Sequence, residues 1–182
     1  MNKTSRQQDN ILNETFLNFK PKAMHKLIMI FLSFLLTVGS VAKSDGQNLS
    51  KKQTEQIKNQ VDSVFQEMVV FAENLDFDKL SPGVDDTHEA GFITNGKYYA
   101  RFSDLIEDVK INAQGISKQD ITIKTKKITV LSDKIALLTA SGVAKARIND
   151  GREIAAGFQW SFVYEKLDKH WKVVYSHQST NQ

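Results

Sequence analysis

The sequence predicts an α+β fold: a long N-terminal helix packed in a strongly bent antiparallel sheet, closing as a cone-shaped α+β barrel. Three observations predict it. Apolar residues recur every three or four positions from Ile57 to Leu75, which is the spacing of one helix face. From Gln119 onward the spacing becomes two, the period of a strand with one buried side. The long period-two segments are separated by turns too short for a crossover, so neighbouring strands run antiparallel.

Ser50 and Gln53 form an S-x-x-Q capping box that opens the helix. The stripe Ile57, Val61, Val64, Phe65, Met68, Phe71, Ala72 and Leu75 extends it over about 25 residues. Asp76 to Leu80 continue as a short helical turn, and Ser81-Pro82-Gly83 breaks it. Two short extended segments flank Asn95-Gly96, a dipeptide favoured in two-residue hairpin turns. Ser103 can cap the next helix, with Asp104, Glu107 and Asp108 near its positive end. Its apolar face is Phe102, Leu105, Ile106, Val109 and Ala113, and Gly115 ends it. In the first long strand Ile121 and Ile123 hold one phase while Ile128 and Val130 hold the other. A single flip predicts a β-bulge, and bulges bend sheets. Ser132-Asp133-Lys134, Asn149-Asp150-Gly151 and Leu167 to Lys169 then separate strands over 135–148, 152–165 and 170–179.

The chain of 182 residues is 41% hydrophobic and 25% charged, enough for one domain with a real core. It contains no Cys, which excludes disulfides, thiolate metal sites and a cysteine nucleophile. Of 24 basic and 21 acidic residues, five and two lie within 1–42, leaving 19 of each in the body. A neutral body has no electrostatic footprint for nucleic acid.

Lys20, Lys22 and Lys26 precede an uncharged run of 12 residues over 27–38, and Ser40-Val41-Ala42 follows it. These are the three regions of an export signal. Extended to Ala42 the run has 16 residues, short of the roughly 20 that span a bilayer. The expected organisation is a signal peptide over 1–42, a linker over 43–49 and the folded domain over 50–182. The expected location is periplasmic or secreted, with membrane contact only through an uncleaved signal anchor.

On the last strand Trp171, Val173, Tyr175, His177 and Ser179 share one face. That face turns from apolar to polar, as a pocket wall does. His177, with an ordinary pKa near 6.5, can exchange protons or bond a guest. Asp85-Asp86-Thr87-His88 lacks the second separated histidine of a metal site, so an exposed turn is the simpler reading. Phe158, Trp160, Phe162 and Tyr164 make an aromatic row on the third long strand. Such a row lines a pocket, fills a core or forms a dimer surface. Ala136, Ala140, Gly142, Ala144 and Ala146 leave room for the helix or for a cavity, and Lys124, Lys126 and Lys127 read as a solvated edge. No metal, cofactor or catalytic residue is assigned.

The ending W-K-V-V-Y-S-H-Q-S, Trp171 to Ser179, resembles the last hairpin of the nuclear transport factor two-like cone fold. It is closest to the polyketide cyclase-like and kinase association-domain branches, whose last strand reads roughly W-x-I-V-H-x-H-x-S. Trp171, Val173, Tyr175, His177 and Ser179 match in place, with Tyr175 at a frequent His position. The order helix, hairpin, helix, four long strands agrees over roughly residues 50–180.

The resemblance implies a sheet curled around the long helix, enclosing a pocket, and often a dimer. It turns Ser161 and Val163 inward and sends the aromatic row outward, towards a partner. On this reading the cone binds a small apolar molecule. Tyr175, His177 and Ser179 supply polar contacts, Tyr98 or Tyr99 stands at the mouth, and Asp86 lies on the adjoining segment. A homodimer through the sheet is the expected assembly. The alternatives are an isomerase, dehydratase or cyclase using His, Asp and Tyr, and an interaction module with a filled cone. The cavity separates them: an Asp or His with a shifted pKa and a Tyr in reach points to the enzyme, a cavity without a titratable pair to binding, and no cavity to the interaction module.

Overall fold

The computed structural model describes residues 49–181. The expected signal peptide over 1–42, and the linker apart from Leu49, lie outside the described residues. Among the described residues no helix is long and apolar enough to cross a membrane.

Helix α1 spans Lys51–Glu73. The predicted capping box opens it: Ser50 Oγ accepts from the Gln53 amide at 3.2 Å, and Gln53 Oε1 accepts from the Ser50 amide at 2.9 Å. Its buried line is Ile57, Val61, Phe65 and Val69, one ridge at spacing four. A 3-10 turn, Phe77–Gly83, follows. Strands β1 (Phe92–Thr94) and β2 (Lys97–Tyr99) form the predicted hairpin. Asn95 and Gly96 take φ of 48° and 81°, the left-handed pair that a tight hairpin turn demands. Helix α2 is Phe102–Asn112.

Four long strands complete the fold: β3 (Ile116–Val130), β4 (Ile135–Ile148), β5 (Glu153–Leu167) and β6 (His170–Asn181). The sheet has six strands in the order β2-β1-β6-β5-β4-β3. The long strands pair antiparallel, as expected, but β1 joins β6 in parallel. The sheet is therefore mixed rather than wholly antiparallel. The chain between α1 and the hairpin carries β1 to the far side of β6, where it enters in the same direction.

The predicted bulge in β3 falls between Ile123 and Thr125. Ile121 and Ile123 before it, and Ile128 and Val130 after it, all pack against one core with α1. β3 is one edge of the sheet, and the lysines expected there are exposed. Lys126 bonds Asp62 of α1, and the Glu73 carboxylate accepts from the Ile121 amide at 2.8 Å. The helix thus occupies part of the edge that would otherwise present free amides.

Two expectations about side-chain direction fail. The aromatic row faces inward: Phe158, Phe162 and Tyr164 are buried and Trp160 packs against the core. The second correction is on β6. Val163 pairs with Tyr175 but Tyr164 pairs with Val173, so Val174 is an extra, bulged residue. Beyond it the inward phase passes to Ser176, Gln178 and Thr180. Tyr175, His177 and Ser179 leave the face that Trp171 and Val173 occupy.

Candidate functional site: a hollow inside the cone

The space between α1, α2 and the inner face of the sheet is not filled. It holds a cavity of about 440 Å³. Phe65 and Met68 of α1, Leu105 and Val109 of α2, and Trp160 and Phe162 of β5 supply much of its apolar wall. Ala144 of β4 also lines it, so the small residues of that strand do leave space. Asn95, Asn112 and Thr180 line the cavity and are themselves exposed, which places its mouth at the hairpin and the C-terminal end of β6. The Asn95 carboxamide oxygen accepts from the Thr180 amide at 2.9 Å and from its hydroxyl at 3.1 Å, fastening the hairpin turn to β6.

Of the six residues predicted to contact a guest, Tyr99 lines the cavity. It is buried on β2 and donates its hydroxyl to Asp108 Oδ2. Tyr98, the alternative at the mouth, is 56% exposed and lays its ring over Gly91, where even a Cβ would meet Tyr98 Cε2 at 2.2 Å. Asp86 has a structural partner instead of a guest. Its Oδ2 accepts from the Phe102 amide at 3.1 Å, the first free amide of α2. That is the capping role expected of Ser103, supplied from a distant loop. Tyr175, His177 and Ser179 do not line the cavity, because the bulge at Val174 inverts their phase. His177 is exposed opposite Ser161. His88 pairs with Glu165 at 2.9 Å, and no metal-holding cluster occurs among the described residues.

Sequence reasoning missed Asp108. Leu105, Asp108 and Asn112 lie at spacings of three and four, one ridge of α2, and all three line the cavity. A carboxylate on the shoulder of an apolar stripe was the available signal. Lys97 Nζ donates to the same Asp108 oxygen at 3.0 Å and stands 4.7 Å from the centre of the Tyr99 ring. The Tyr99 hydroxyl and then the Lys97 ammonium hold the Asp108 carboxyl below its ordinary value of 3.8. Burial, reinforced by the neighbouring carboxylate, pushes the Tyr99 phenol up. At neutral pH the pair is therefore an ionised carboxylate and an intact phenol.

Residues 106–182 match the sequence profile of the calcium/calmodulin dependent protein kinase II association domain. No curated protein matches the chain. Several solved structures share the fold at low identity. A nuclear transport factor 2-like superfamily protein from Salmonella enterica is 17% identical, with a TM-score of 0.63, over 71% of this chain and 94% of its own. A protein from Xanthomonas campestris named for the kinase II association domain is 15% identical, with a TM-score of 0.58, over 66% and 85%. One from Novosphingobium aromaticivorans named for scytalone dehydratase is 10% identical, with a TM-score of 0.66, over 73% and 89%. With a long helix held in a curled six-stranded sheet, the chain has the nuclear transport factor two-like cone fold, and its residues 106–182 carry the association-domain pattern.

Proposed function

We propose that this protein is exported and binds a small, mostly apolar molecule in its cone. One observation carries the reading: the core is left hollow, and its lining mixes apolar side chains with a few polar groups at one end. Pockets that hold small molecules have this composition and volume. A filled interaction module would have no use for such a space.

The enzyme reading has the support set out for it in the sequence, an Asp beside a Tyr in the cavity: the Tyr99–Asp108 pair. Neighbours in fold named as dehydratases add to it only at the level of the fold. The direction of the two shifts counts against it. A general base works best with a pKa near the operating pH, and Asp108 is displaced the other way. A phenol pushed up is a hydrogen-bond donor and a poor source of protons. The pair is better suited to holding a guest than to moving its protons.

Export rests on the leader, and a homodimer through the outer face of the sheet remains the proposed assembly. Native and denaturing mass spectrometry of the protein recovered from the cell envelope tests the main reading in one experiment. The expected result is a chain that starts at Lys43 and releases a small molecule on denaturation. A chain retaining residues 1–42 removes cleavage, and a chain that neither carries nor accepts any apolar compound removes the binding function.

A further inference from the structure

We infer that the cavity sorts guests by their head group: it takes an apolar molecule bearing a hydrogen-bond donor, a hydroxyl or an ammonium, and turns away the matching carboxylate. The inference deepens the binding reading above and rests on it.

Among the described residues that line the cavity, Asp108 is the single charged one; no Lys, Arg or His joins it. Both of its bonds fall on Oδ2, from the Tyr99 hydroxyl and from Lys97. Oδ1 is left as an acceptor. The Tyr99 proton is committed to Asp108, so the phenol offers no donor, and its oxygen is already bonded by Lys97. Lys97 offsets the carboxylate charge from outside, with 61% of its side chain exposed, and is not part of the lining. A guest entering head first towards this corner meets the remaining Asp108 oxygen as acceptor.

The walls have the same preference. Trp160, Phe162 and Phe65 line the hollow, and an aromatic ring that turns its face to a guest favours a cation over an anion. An ammonium gains a charge-assisted bond to Asp108, and a hydroxyl gains a neutral-to-charged one. A carboxylate finds a like charge and loses its water.

Adamantylamine, adamantanol and adamantane carboxylate share one rigid apolar body and differ in the head. Calorimetric titration of the folded protein should rank amine and alcohol at least about tenfold tighter than carboxylate, the scale of one bond to a charged group. Asp108→Asn keeps the shape and a donor-accepting oxygen but removes the charge, and should shrink the amine-to-carboxylate ratio towards one. Lys97→Gln should widen that ratio, because the competing cation is gone; a merely structural role for Asp108 does not predict that increase. Thermal melts of each variant confirm that it is folded. Equal affinity for all three probes, or a preference for the carboxylate, overturns the inference and leaves the binding reading standing. No binding by any probe, together with no co-purifying compound, overturns both.

Discussion

Gly142 shows how little tolerance a single position on the inner sheet has. It sits on β4 opposite Phe158, and a Cβ built there would lie 2.0 Å from the Thr122 carbonyl oxygen and 2.7 Å from Phe158 Cζ. The ring could turn aside, but the carbonyl belongs to the backbone of β3 and can yield only if the strands part. Overpacking of this kind costs typically 1–3 kcal/mol. Gly142→Ala is therefore expected to lower stability by roughly 2–3 kcal/mol, read as a lower urea midpoint with an unchanged slope. A loss below about 0.5 kcal/mol, the ordinary surface value, would show that the strands absorb the methyl group. Asp108 illustrates the opposite situation. Nothing steric fixes it, and its importance comes from the partners that the fold delivers, Tyr99 from β2 and Lys97 from two residues earlier.

At the scale of elements, α2 depends on a residue from another segment. Its N-cap Arg101 makes no side-chain bond, and Asp86 supplies the acceptor for the Phe102 amide. Capping side chains contribute about 1 kcal/mol, helped here by a negative charge at the positive end of the helix. Asp86→Ala should cost about that much in a urea titration, whereas Asp86→Asn should keep most of it. An alanine variant as stable as the parent would mean that solvent serves the amide equally well. Elements whose determinants are local were legible in the sequence: the capping box of α1, the Asn95-Gly96 turn and the β3 bulge, where isoleucines on either side make the change of phase visible. The β6 bulge was not legible. Val173, Val174 and Tyr175 are consecutive and apolar, so both phases look alike where the switch occurs. That one residue moved His177 and Ser179 out of the predicted site and brought Ser176 and Gln178 into it. The cap on α2 and the Tyr99–Asp108 bond were hidden for a related reason. Each joins residues that only the tertiary fold brings together.

For the whole molecule, the inward turn of the aromatic row changes what a second copy would meet. The outer face of the sheet carries a cross-strand row instead: Thr129 pairs with Leu137, Leu137 with Val163, and Val163 with Tyr175. All four are only half-buried in the single chain, and directly opposed side chains of this kind act as one patch. Four strands of 12 to 15 residues, spaced about 4.8 Å apart with a rise near 3.3 Å, offer a face on the order of 800 Å². That is about what one partner contributes to a specific interface. The cavity lies on the other side of the sheet, so under the proposed reading assembly and binding need not compete. Val163→Asp places a carboxylate in the middle of the row. In a two-fold interface it would face its own symmetry mate or the mate's neighbours, while in the monomer it would reach water. Sedimentation equilibrium should find the parent as a dimer at micromolar concentration and the variant as a monomer with adamantylamine binding intact. A parent that sediments as a monomer ends the case for a sheet-to-sheet pair. A variant that stays dimeric moves the interface elsewhere on the molecule.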